Sequence, residues 1–133
     1  METSPNVICW FEIYVKDIAR AKQFYNAVLG TTFYDMDAPD EASHPIKMAF
    51  FSSPEQQDGV SGSLIQIEGT KEGDNKSLNT MVYFPCNDCS VEESRVATAG
   101  GQVMRSKMSL GQFGFCSLCI DTEGNNFGLF SMQ

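Results

Sequence analysis

One strand-and-helix unit occurs twice in this 133-residue chain, and the two copies are 71 residues apart. The first copy runs from Cys9 to Asp17, continues from Ile18 to Leu29 and ends at Gly30. Phe11, Ile13 and Val15 alternate with Trp10, Glu12 and Tyr14, the period-two pattern of a strand with two different faces. Asp17 stands where an N-cap belongs, because its carboxylate can accept from the free N–H groups of the first helical turn. Ile18, Ala21, Tyr25 and Val28, with Phe24 beside them, fall on one helical face. Gly30 can take the left-handed conformation that ends a helix. The second copy runs from Met81 to Asp88, then from Cys89 to Ala99, then Gly100-Gly101. Asp17 and Asp88 share the 71-residue spacing, as do Gly30 and Gly101. At that offset Phe11, Ile13 and Val15 fall on Val82, Phe84 and Cys86, so the hydrophobic parity is kept. A repeat of this size, with one helix per copy, is not a solenoid and points to two equivalent modules packed against each other.

The remaining chain completes each module. After the first helix, strands are expected over 31–36, 46–52 and 60–68, with a loop at 37–45. After the second, strands are expected over 102–108, 112–120 and 126–132, with a tight turn at Asp121-Thr122-Glu123-Gly124-Asn125. Residues 1–133 then form a single α+β domain. Module one spans about 7–68, module two about 79–132, and the polar stretch 69–78 links them. The two helices should cover one face of the strands, met by Phe11, Ile13, Val15, Val82, Phe84 and Cys86. The opposite faces, with Trp10, Glu12, Tyr14, Met81 and Tyr83, would line a shared concave surface.

The length is ample for a core that needs no staples. The formal net charge is −8, from 9 Lys plus Arg against 17 Asp plus Glu. That argues against nucleic acid and anionic membrane as partners, since both need a basic face. The N-terminal stretch has no basic and apolar signal pattern and no apolar run could span a bilayer, which makes the cytoplasm the expected location. Five cysteines are an odd number with no disulfide-scaffold density, in keeping with a reducing compartment.

The cysteines permit three readings. Cys86-x-x-Cys89 and Cys116-x-x-Cys119, separated by 26 residues, have the spacing of a four-cysteine zinc site. Against it, Cys86 and Cys89 fall on the apolar positions Val15 and Ile18 of the first copy, where cysteine packs as a small hydrophobe. Cys116 and Cys119 lie three apart in a strand and point to opposite faces. A redox reading places Cys89 at a helix N-terminus, where the dipole lowers a thiol pKa. His44, the single histidine, falls in a Pro-flanked loop. Glu92 and Arg95 are spaced to pair on a solvated helix face.

The sequence resembles the vicinal oxygen chelate superfamily, which includes glyoxalase I, bleomycin-resistance proteins and extradiol dioxygenases. The matching pieces are Trp10-Phe11-Glu12-Ile13, Asp17-Ile18-Ala19-Arg20-Ala21, Phe24-Tyr25, Val28-Leu29-Gly30, Ala99-Gly100-Gly101 and Asp121 to Asn125. They lie in order over nearly the whole chain. The resemblance implies two βαβββ modules, a cupped mixed sheet with the helices on its outer face, a small-molecule site in the cup and a homodimer. The superfamily's chemistry uses a divalent metal as a Lewis acid on vicinal oxygens. Its four ligand positions fall here on Trp10, Met81, Gly128 and Ser63, or on Ile65 with a register slip of two. None of these is a usual divalent-metal ligand, so no metal and no cofactor is expected.

What remains is an aromatic-lined cavity formed by Trp10, Tyr14, Met81, Tyr83 and Phe130, with Ser63 and the carboxylate of Glu12. Glu12 is the candidate catalytic or orienting group. Enclosure would raise its pKa and suit it to act as a base; equally, it would be a structural carboxylate hydrogen-bonded to a tyrosine or a backbone amide. The expected function is a metal-free binder of a small apolar or aromatic molecule. Two alternatives stand beside it: a metal-dependent lyase, isomerase or dioxygenase with an ion touching Glu12 or Gln66, and an interaction module held by zinc on Cys86, Cys89, Cys116 and Cys119.

Overall fold

A computed structural model of the chain describes residues 6–37, 46–53, 59–67 and 80–133. His44 and the linker 69–78 lie outside the described residues. Two compact units emerge: a first module of residues 11–80, and a second module of residues 81–133 together with the first ten residues.

In the first module the order is β1 (Trp10–Tyr14), α1 (Ile18–Leu29), β2 (Tyr34–Asp37), β3 (Ile46–Phe50) and β4 (Ser61–Ile67), with Trp10 grouped in the other unit. The strands lie in the order β2-β3-β4-β1. The second module gives β5 (Thr80–Pro85), α2 (Cys89–Val96), β6 (Gln102–Ser109), a 3₁₀ turn over Gly111–Phe113, β7 (Phe115–Ile120) and β8 (Asn126–Ser131). Here the order is β5-β8-β7-β6, with β5 and β8 parallel and the remaining pairs antiparallel. The expected βαβββ pattern is therefore present in both copies. No helix among the described residues is long and apolar enough to cross a membrane.

Both helices start as the Asp spacing predicts. Asp17 accepts from Arg20 N–H at 3.0 Å and Asp88 from Ser90 N–H at 2.9 Å. Hydrogen bonds from the Ser90 hydroxyl and from Lys107 hold the Asp88 carboxyl down to about 2. A second acceptor comes from the sheet. Gln66 Oε1 takes Ile18 N–H at 2.8 Å, and Ser131 Oγ takes Cys89 N–H at 3.0 Å. Each of these side chains follows the strand residue that takes the backbone N–H just before the helix, Val15 to Ile65 at 2.8 Å and Cys86 to Phe130 at 2.7 Å. The repeat thus extends to the fourth strand: Ile65 matches Phe130, Gln66 matches Ser131 and Ser63 matches Gly128.

The helix-facing layers differ in content. In the first module Phe11, Tyr25 and Phe33 all pack on Phe51, with ring centroids 5.2, 5.8 and 4.8 Å away. In the second, Cys86, Cys89, Cys119 and Leu129 form the buried core with Phe84, Val96 and Phe127 against it. Three expectations need correction. Phe24 and Val28 of α1 are 58% and 61% exposed, because Tyr25, packed on Phe51, fills the contact. The second helix stops at Val96 rather than 99, because Gly101 N–H turns back to the Val96 carbonyl and Gly100 takes φ 106°. The first strand begins at Trp10, inside the start at about residue 7 expected for module one.

Replacing Gln66 with Ala removes an acceptor that faces a helix N–H in a partly buried place. The variant is expected to lose about 1 kcal/mol of folding stability, read as a lower urea midpoint at unchanged slope.

Candidate functional site

The face of the first module opposite α1 carries the polar candidates. Strand alternation sends Phe11 to the helix side and Glu12 and Tyr14 to the other. The Tyr14 hydroxyl donates to Glu12 Oε1 at 3.0 Å. In the second module Tyr83 stands opposite Gly128 in the parallel β5–β8 pair. The shared register sets Glu12, which matches Tyr83, opposite Ser63, which matches Gly128. Ser63 is fully buried, and its hydroxyl finds no partner among the described residues. A buried hydroxyl without a partner costs about 1–3 kcal/mol relative to a paired one. On the same face Phe50 and Met48 pair with Ser63 and Ile65 across β3–β4. The result is a carboxylate, a phenol and an unpaired hydroxyl set among apolar side chains, which can fix the polar end of an otherwise apolar molecule. The orphaned Ser63 hydroxyl is the feature that pattern reading alone would not find, since serine in a strand carries no such signal.

The second module's candidates are apolar. Met81 is 2% and Tyr83 8% exposed, while Trp10 and Phe130 are half-buried. The Tyr83 ring lies across Gly128, in the space that any side chain at 128 would enter. This is decisive for a metal. Of the four carried-over ligand positions, Trp10 offers only an N–H donor, Met81 a thioether and Gly128 nothing, with an aromatic ring over it. Ser63 offers a neutral hydroxyl. This donor set does not fit a divalent cation. Gln66, the other side chain considered for an ion, is on the helix side, committed to Ile18 N–H.

The cysteines do not assemble the zinc site that their spacing suggests. Cys86, Cys89 and Cys119 pack together on the helix side, whereas Cys116 falls on the other face of β7. Among the described residues no three His, Cys, Asp or Glu side chains are placed to hold a metal. Burial, and secondly the charge of Glu92, push the Cys86 thiol up to about 12; burial raises Cys119 and Cys9 as well. Cys89 is fully buried. Glu92 lies beside the Cys86 thiol and forms no ion pair with Arg95, so the expected helix-face pair is absent.

At pH 7 a thiol with a pKa of 12 is ionised to about one part in 10⁵. Ellman's reagent is therefore expected to leave Cys86, Cys89 and Cys119 untouched in the folded protein and to find them after denaturation. Because a raised pKa favours the neutral thiol of the folded state, the stability it supports is complete below the unfolded thiol pKa. It falls as pH rises from about 8.5 toward 12.

Comparisons with known proteins agree with this architecture. A family model described as bleomycin resistance protein-like N-terminal matches residues 8–42. No curated protein sequence matches the chain. Among solved structures, a variant methylmalonyl-CoA epimerase from Streptomyces coelicolor, in complex with 2-nitronate-propionyl-CoA, superposes with a TM-score of 0.65 at 18% identity. The match covers 96% of this chain and 98% of that one. The methylmalonyl-CoA epimerase of Mycobacterium tuberculosis gives 0.64 at 13% identity, covering 99% and 93%. A mutant 4-hydroxymandelate synthase from Streptomyces coelicolor gives 0.66 at 17% identity, covering 96% of this chain and 39% of the longer one. At these identities the likeness is one of fold.

Proposed function

The chain has the vicinal oxygen chelate fold, and on that premise we propose that it binds a small apolar or aromatic molecule without a resident metal. One observation carries the proposal: Glu12, paired with Tyr14, stands opposite the buried hydroxyl of Ser63, which has no partner among the described residues, beside the apolar Met48, Phe50 and Ile65. A ligand with one polar group would complete the hydrogen bonding of Ser63 and meet the Glu12 carboxylate, while its apolar body removes hydrocarbon surface from water. Glu12 and Tyr14 orient the ligand in this reading, and within the second module Trp10, Met81, Tyr83 and Phe130 are the apolar ligand-binding residues we assign. Should the bound molecule carry an acidic proton, Glu12 is the group placed to take it.

We further propose that the protein is a cytoplasmic homodimer. Phe24, Val28 and Leu29 of α1 are 58%, 61% and 62% exposed, an apolar strip of the kind that a second subunit covers.

The test is a thermal-shift screen with small aromatic alcohols, phenols, aromatic aldehydes and acyl-CoA esters. At least one class is expected to raise the melting temperature. Glu12→Gln and Ser63→Ala are then each expected to weaken that ligand about tenfold while still folding. Binding that is indifferent to both substitutions would remove the assigned site.

A further inference from the structure

A solvent-open cleft lies in the second module, between α2 and the sheet, on the side away from Tyr83 and Gly128. Its volume is about 310 Å³, and Val96, Ala99, Ile120, Phe127 and Leu129 form its apolar wall.

The first module explains why space is left there. At the repeat spacing Val96 takes the place of Tyr25, and Val82 that of Phe11. The strand registers carry the comparison further: Phe50 pairs with Ser63 and Leu118 with Gly128, so Cys119 takes the place of Phe51. In the first module Tyr25 stands edge-on to Phe51, and Phe11 packs on the same ring. The second module has Val, Val and Cys at these three positions. Three rings return, Phe84 for Ile13, Phe127 for Gly62 and Phe115 for Lys47, and the first two pack on each other at 6.1 Å. No ring stands at Val96. The cleft is open to solvent on one side, and a guest seated against its apolar wall would remove hydrocarbon surface from water.

The polar edge selects among guests. Arg95 is exposed beside the cavity, and its guanidinium has no hydrogen bond or ion pair among the described residues. Glu92 and Asp121 also line the cleft, and both carboxylates are engaged. Asp121 accepts from the N–H groups of Glu123 and Asn125 and from the Asn125 side chain. Glu92 lies beside the Cys86 thiol.

We propose that this cavity binds a monocyclic aromatic carboxylate, with the ring where Tyr25 sits in the first module and the carboxylate on Arg95. A guanidinium suits this task because its planar donors match a carboxylate two at a time. The site uses none of the residues assigned above to ligand binding, so it stands or falls independently of that function.

The test is methyl NMR of the full chain, with benzoate and uncharged benzyl alcohol as probes. Benzoate is expected to move the methyl resonances of Val96, Ile120 and Leu129, and benzyl alcohol to bind about tenfold more weakly. Val96→Tyr, which restores the missing ring, is expected to abolish the benzoate shifts. Arg95→Gln, a surface change that leaves the fold intact, is expected to bring benzoate down to the affinity of benzyl alcohol. Unmoved methyls at millimolar benzoate would overturn the proposal, as would undiminished benzoate binding in either variant.

Discussion

Each module depends on one hydrogen bond between the fourth strand and the helix. A helix leaves its first N–H groups without intrahelical partners, and a helix laid against a sheet must satisfy them there. Asp17 and Asp88 take one such group each from within the chain's own turn. Gln66 and Ser131 take another from the sheet and tie helix to strand at one point. With the helix tied at its start, the strand parity decides the rest. Phe11 and Phe84 must face it, and Glu12 and Tyr83 must face away. The candidate site is a consequence of that division.

The two copies solve the same packing problem with different material. The first fills the space between helix and sheet with rings gathered on Phe51, the second with cysteines, Leu129 and Val96 beside Phe84, Phe115 and Phe127. The second module has Val96, at the wall of an open cleft, where the first has Tyr25. The faces away from the helices diverge as well. Glu12 and Ser63 in one copy correspond to Tyr83 and Gly128 in the other, a polar pair against a ring closed over a glycine. This asymmetry puts a ring over a glycine in the second module and leaves a carboxylate in the first.

Much of this is legible in the residues alone. The 71-residue spacing of Asp17 with Asp88, and the alternation from Trp10 to Val15, reveal both helices, their caps and the facing of both strands. The resemblance carried by the Trp10–Ile13 and Asp17–Ala21 segments names the fold, and the mapping of Ser63 onto Gly128 agrees with the backbone hydrogen bonds. What the residues do not reveal is tertiary. Gln66 and Ser131 act as caps only because the fourth strand ends beside a helix start. Val28 reads as buried by periodicity, yet Tyr25 has already filled the contact. The C-x-x-C pairs read as a zinc site by spacing, yet strand alternation separates Cys116 from the other three. Glu92 and Arg95 have pairing distance in sequence, but Glu92 is drawn to Cys86.

The central proposal is a small-molecule face without a resident metal. Calorimetric titration of zinc, nickel, manganese and iron(II) into chelator-stripped protein tests it most directly. The account predicts no saturable site at one equivalent per chain for any of the four. A single tight site per chain, lost in a Glu12→Gln variant that still folds, would contradict it.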